Sequence, residues 1–375
     1  MTNGQDSILD KIITTQQYSR KEQFRPQEIL ANILKALTER EAQVIARRFG
    51  LPDKEQETLE NVGKSFQITR ERVRQIEKLV INKINKSAKL RELISPVSSI
   101  IVESIESEGG AVTEEHLLRL LSDAANQDMP VHTIKFYLFE LLNDVVKPVG
   151  YDDNEFKPGW LLQNASSEVL RTLLQSAFDI LEQASSPVSD ESLANKLIQS
   201  KAVGPLGNQI NDAKIILSLL ELGTLIKRNP YGEWGLSSWE TITPKRMSDK
   251  IYLVLKKSGK PLHFREITKL INEQKFDHKQ AHAPTVHNEL ILDKRYVLVG
   301  RGIYALKEWG YEPGIVLEVI IKVLQEKNIP LSRDEIVAEV LNRRLVQDGT
   351  IYLALTNKKY FNRTEQGKYQ LINQL

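Results

Sequence analysis

Cysteine is absent from the 375 residues, so the chain can hold no disulfide framework, no thiolate nucleophile and no Cys-based zinc site of the zinc-finger kind. Long apolar runs are missing as well. None reaches the roughly 18 residues that a membrane-spanning helix needs, and Met1 to Lys11 lacks the basic patch, apolar core and small-residue cleavage site of a secretory leader. These absences point to a cytoplasmic protein. Catalytic signatures are also lacking: there is no Walker loop, no Gly-x-Ser-x-Gly elbow and no dense acidic cluster for Mg²⁺. Gly300-Arg-Gly302 has no third glycine and no strand-then-helix setting, and reads as a hairpin turn. His278, His282 and His287 are interrupted by Pro284 and have no carboxylate or Cys companion, and read as a loop. The expectation is a protein that is not an enzyme and carries no cofactor or metal.

What is present is charge, and its distribution matters more than its sum. A formal net charge of +2 conceals 18 basic and 13 acidic residues in 1–95, 6 and 17 in 96–200, and 27 and 19 in 201–375. A polyanion is attracted to the two ends and repelled by the middle.

The apolar pattern predicts a mainly α chain with small β-hairpins. An N-terminal helix over Ser7 to Tyr18 and a linker fill 1–26, and compact helices fill 27–95 up to Pro96. Beyond Pro96 a unit recurs about every 65 to 75 residues. Each copy has an amphipathic helix, a break, a Pro or small residue with an apolar one, a helix opened by an acid, a third helix and a short alternating hairpin. The breaks read Pro187-Val-Ser-Asp, Pro261-Leu-His-Phe and Pro330-Leu-Ser-Arg, and the hairpins start at Val145, Leu225, Tyr296 and Tyr360. Three helices and a hairpin are the parts of a winged helix. Four tandem units are therefore expected over 96–165, 166–240, 243–310 and 311–375, with Trp160, Trp234, Trp239 and Trp309 anchoring cores beside the hairpins.

The strongest motif lies ahead of the repeats. Thr38 is placed to cap one helix and Gly50 to stop it; a second helix follows Thr58, and a third opens at Thr69 with Glu71 near its positive end. On the third helix Arg70, Glu71, Arg74, Gln75 and Lys78 fall within about 140° of one another at 100° per residue. Val73, Ile76, Val80 and Ile84 gather on the other side. Arg can bond guanine in a bidentate manner, Gln adenine, and Glu the cytosine amino group, while Thr69, Lys78, Lys83, Lys86 and Lys89 suit phosphates. Taken alone, the same face is equally compatible with a solvated surface carrying a charge excess.

Leu37 to Lys86, and above all Thr58-Leu-Glu-Asn-Val-Gly-Lys-Ser-Phe-Gln-Ile-Thr-Arg-Glu-Arg-Val-Arg-Gln-Ile-Glu, closely resembles region 4 of bacterial housekeeping-type sigma factors. That resemblance implies a helix-turn-helix that reads the −35 promoter element, packs on the β flap of RNA polymerase core, and contacts bases through Arg70, Glu71, Arg74 and Gln75. Two departures stand out. Gln67 occupies the position where the family usually has the turn glycine, at a cost of about 1 kcal/mol. A complete sigma factor also needs an earlier domain to melt the −10 element, so this chain is not expected to open a promoter on its own.

Lys245 to Gly310, with Lys260-Pro-Leu-His-Phe-Arg-Glu-Ile-Thr and Tyr296-Val-Leu-Val-Gly-Arg-Gly-Ile-Tyr-Ala-Leu, resembles the HARE-HTH winged-helix family. This implies association with DNA or polymerase and transfers no catalytic residue. Arg295 and Arg301 bracket the expected wing, where they either touch phosphate or are simply exposed.

Together these features predict a nucleoid-associated, DNA-binding transcription regulator without promoter-melting ability. The alternatives are a DNA-binding specificity subunit of a modification, restriction or phage-defence assembly, and a polymerase-bound competitor of sigma. The acidic 96–200 segment is not expected to grip double-stranded DNA. Its Ile134, Phe136, Tyr137 and Phe139 are either core, a docking surface for a protein partner, or a face that folds back on the basic N-terminal domain.

Overall fold

The computed structural model describes residues 24–372 except 53, 153, 201–211, 312–313 and 345; the helix expected over Ser7 to Tyr18 lies outside the described residues. The chain divides into two units, 1–227 with 234–237 and 228–233 with 238–375.

In the first unit local capping sets the early helices. Helix α1 (Pro26–Lys35) begins on a proline, whose missing N–H is no loss in a first turn. Helix α2 (Glu39–Phe49) opens with a capping box between Thr38 and Glu41 and ends on Gly50 at φ 67°. Helix α3 (Leu59–Phe66) starts at Thr58 and helix α4 (Arg70–Lys86) at Thr69, each threonine accepting a hydrogen bond from the backbone N–H three residues on. Helix α5 (Ala88–Ser107) then runs straight through Pro96. The boundary expected at Pro96 therefore falls inside a helix. An interior proline costs about 3 kcal/mol. Leu90, Ile94, Val97, Ile101 and Ile105 are all buried along one side of α5, and each gains about 1.5–3 kcal/mol from burial, so packing overrides the local breaker.

Next come strand β1 (Ala111–Thr113), helix α6 (Glu114–Ala125), helix α7 (Val131–Phe136) with a wider turn of helix at Tyr137–Leu141, and the hairpin β2 (Val146–Val149) and β3 (Gly159–Leu162). The sheet order is β1-β3-β2, antiparallel throughout. Helix α8 (Ser167–Ala184), β4 (Val188–Ser189), α9 (Asp190–Gln199), α10 (Ala213–Leu220), β5 (Ile226–Arg228) and β6 (Glu233–Leu236) repeat the plan with sheet order β4-β6-β5.

The second unit contains α11 (Met247–Ser258), β7 (Leu262–His263), α12 (Phe264–Gln274), α13 (Ala283–Leu292), β8 (Tyr296–Gly300) and β9 (Ile303–Leu306), with sheet order β7-β9-β8. It continues with α14 (Val316–Lys327), α15 (Arg333–Arg343), α16 (Asp348–Leu355), β10 (Phe361–Arg363) and β11 (Tyr369–Leu371). The expected hairpins are present in all four repeats. The Pro-apolar element before each second helix is a further strand, except in the last repeat, where Leu331 makes a single bridge to Tyr369. No described helix is long and apolar enough to cross a membrane.

The acidic repeat folds back on the N-terminal helices. Ile134, Phe136 and Tyr137 are buried in the same core cluster as Leu30, Ile33, Ile45, Val80 and Ile84, which removes them as a docking surface for another protein. The Phe136 ring lies 4.9 Å from that of Phe49. The Tyr137 hydroxyl donates to the Pro26 carbonyl at 2.9 Å and Thr133 Oγ1 to that of Pro52 at 2.9 Å. Phe139 remains partly exposed, edge-on to Trp160 at 4.6 Å.

Charge crosses the same seam. Arg91 pairs with Asp144 across it, while on the N-terminal side Arg48 of α2 bonds Glu77 of α4 at 3.0 Å. Glu140 sits nearby with its pKa raised, first by burial and then by the charge of Glu77. A carboxyl whose folded pKa is raised stabilises the fold at low pH, and that contribution is lost as pH rises through the folded value. Glu140→Gln is accordingly expected to melt higher than the parent at pH 7, with the gap closing as pH falls into the carboxylate range. Thermal melts at both pH values check this; a variant less stable at pH 7 would mean that the ionised carboxylate makes a net favourable pair.

Candidate nucleic-acid interface

Two contacts fix the angle at which α4 is presented. Val44, Val62 and Val73, one from each of α2, α3 and α4, form a small buried cluster, and Val80 and Ile84 carry the inner face of α4 into the main core. The turn between α3 and α4 is set by backbone proximity. A Cβ on Gly63 would lie 2.7 Å from the Ile68 carbonyl oxygen, and Ile68 N–H donates to the Gly63 carbonyl at 2.9 Å. Any larger residue at 63 would push the two helices apart. The composition around the motif did not single out this glycine, although a glycine inside a helical pattern is the available signal.

Gln67 occupies the turn in the left-handed conformation, φ 52° and ψ 44°. A non-glycine residue there costs on the order of 1 kcal/mol. Gln67→Gly is expected to stabilise the turn by up to about that amount, offset in part by the freer unfolded chain; a lower denaturation midpoint would show that the glutamine side chain contributes more than its backbone costs.

The outer face of α4 is exposed at Arg70, Glu71, Arg74, Gln75 and Lys78, so the five residues predicted on one side are brought together there. They are not idle. Arg74 grips Glu71 with Nη2 to Oε1 at 2.5 Å and Nε to Oε2 at 2.8 Å, and Arg72 Nη1 donates to Gln75 Oε1 at 3.1 Å. The Arg74 guanidinium holds the Glu71 carboxyl below its usual range, so at neutral pH Glu71 is an anion and a pure acceptor. Reading a guanine with Arg74 requires this fork to leave Glu71, which is then available for a cytosine amino group.

Of the expected phosphate residues, Lys78, Lys86 and Lys89 are exposed, and Thr69 uses its hydroxyl as the cap of α4. Lys83 bonds Glu41 at 3.1 Å. In the second unit Arg301 is exposed at the β8–β9 turn. Arg295 lies at the opposite end of that hairpin, where its guanidinium is held by Asp293 at 2.7 Å and by the buried Asp249 at 3.3 Å. Arg295, expected to bracket the wing and there touch phosphate or be simply exposed, is thus held in an ion-pair network: a charge count along a sequence does not show which acids fold beside a base. Trp160 and Trp234 are buried, as expected of core anchors. His287 stacks on Phe264 with ring centroids 4.5 Å apart.

Known proteins match this chain over its N-terminal helices. The sequence model of the family Sigma-70, region 4 matches residues 33–86. RNA polymerase sigma factor SigA of Clostridium acetobutylicum is 47% identical over 66 residues, 18% of either chain. SigA of Lactococcus lactis subsp. cremoris is 40% identical over 89 residues, 24% of either chain. The chain thus spans 18% to 24% of the length of these relatives. The matched stretch contains α2, α3, α4 and the turn at Gln67.

Proposed function

We propose that this chain is a non-enzymatic transcription regulator that binds double-stranded DNA through residues 27–95, reads a −35-like element and contacts RNA polymerase. One observation carries the reading: within the stretch similar to sigma region 4, α4 locks its apolar side into the core and leaves Arg70, Glu71, Arg74 and Gln75 together on the exposed side. These four take base edges, and Thr69, Lys78, Lys86 and Lys89 take phosphates. Lys83 joins them once it releases Glu41. The relatives are named as RNA polymerase sigma factors, which favours polymerase as the protein partner over a modification or restriction enzyme. The four helix-and-hairpin repeats are read as winged helices, with 243–310 of the HARE type.

The test is binding of the full chain to duplexes that carry or lack a −35-like element, over a range of salt. Preference for the element, with affinity falling steeply as salt rises, is the expected result; equal affinity for both duplexes would remove the sequence-reading claim.

A further inference from the structure

Most of the excess positive charge of the C-terminal half belongs to one repeat. Residues 243–310 hold 14 basic and 7 acidic residues, whereas 311–375 hold 9 and 8. Several acids of this repeat are already spent internally: Asp293 and Asp249 on Arg295, and Asp277 on Lys250 at 2.6 Å. The surplus cations lie elsewhere, and the sheet register gathers two of them at one corner. His263 pairs with Ile303, and Phe264 N–H donates to the Gly302 carbonyl at 3.0 Å. Arg265, in the first turn of α12, and Arg301, at the β8–β9 turn, are each one residue from that backbone bond. Both are exposed, and neither has an ion pair among the described residues.

The corner is rigid. His263 caps α12, its Nδ1 accepting from the Arg265 N–H at 3.3 Å. The other side of the same ring fills the space over Gly302, where a Cβ would lie 2.7 Å from Nε2. Phe264 is packed between the rings of His263 and His287, with both centroids at 4.5 Å, and the Arg265 guanidinium rests over Phe264 at 5.8 Å. Ring faces turned on one another are not free to stack on an unpaired base. What remains exposed is two arginines with no ion pair among the described residues, and guanidinium groups suit the phosphates of a duplex.

We infer that Arg265 and Arg301 form a second, sequence-independent contact to the phosphate backbone of duplex DNA. It rests on the proposed DNA-binding reading but needs none of the base-reading residues of α4. The two sites divide the work: α4 selects a sequence, and this corner adds affinity anywhere on the duplex.

The test uses the full chain and a duplex without a −35-like element. Each phosphate contact adds roughly 0.9 to the salt slope of log affinity. Substituting both residues (Arg265→Ala with Arg301→Ala) should lower the slope by about 2 and weaken element-bearing and element-free duplexes by the same factor. Arg265→Lys with Arg301→Lys should keep most of the slope, and Arg295→Ala should leave it unchanged. An unaltered slope in the double alanine variant overturns the inference, as does an equal loss in Arg295→Ala. If the parent chain binds both duplexes equally but the slope still falls by about 2, the sequence-reading proposal fails and this one stands. If the parent discriminates and the slope does not move, the reverse holds.

Discussion

Phe136→Ala is expected to cost about 3 to 5 kcal/mol, the range for removing a fully buried phenylalanine ring, and the loss should spread well beyond its own helix. The ring meets Phe49 at the end of α2 and belongs to the cluster that holds Val80 and Ile84 of α4. Amide hydrogen exchange in the full chain is the suitable measurement, since unfolding of a chain with several repeats is not a single transition. Amides of α2, α4 and α7 should all exchange about 100-fold faster or more, given that 1.4 kcal/mol is roughly a factor of ten. Acceleration confined to Val131–Leu141 would mean that the N-terminal helices are stable without the acidic repeat and that the shared core is only a contact between two independent ones.

The second large effect concerns recognition. Arg74→Ala should weaken binding to a −35-like duplex by about 1 to 3 kcal/mol and relax preference at one base pair. The exchange of partners described for Arg74 makes a companion variant informative. With Glu71→Gln the fork no longer has an anion to leave, so the guanidinium is easier to recruit; affinity for duplexes without the element should rise through lost repulsion from phosphates, the preference set by Arg74 is retained, and the preference at the base pair assigned to Glu71 relaxes. Binding to a panel of single-base variants at fixed salt distinguishes the cases. Losses on random DNA equal to those on the selected site would show that Arg74 contributes only charge.

Local rules predicted local features well. Thr38, Thr58, Thr69 and Gly50 cap and stop helices where the sequence placed them, because a cap depends on atoms within a few residues. The two faces of α4 follow from its period alone. Four features escaped for reasons that are also physical. Pro96 reads as a boundary because its cost is local, whereas the burial that outweighs it comes from residues scattered through the fold. The bond from Tyr137 to Pro26 joins positions 111 apart in the chain, and no periodicity encodes such a contact; the sequence could only leave the fold-back open among other readings. Arg295 carries the same charge as Arg301, and only the folded neighbourhood shows that one is neutralised and the other is not. The first strand of each three-stranded sheet, two or three residues long, is too short for alternation to be recognised.

Helix α5 has a mechanical meaning that burial alone does not express. Twenty unbroken residues from Ala88 to Ser107 make a rod of about 30 Å, anchored at its start by the helix-turn-helix and at its end by the acidic repeat. On the proposed DNA-binding reading, whatever groove α4 enters, the acidic repeat is carried around the duplex at one azimuth, as a crank fixed to an axle. Inserting a single residue into α5 would ask that crank to turn by about 100°, which it could do only by tearing Phe136 and Tyr137 out of the core they share with the N-terminal helices.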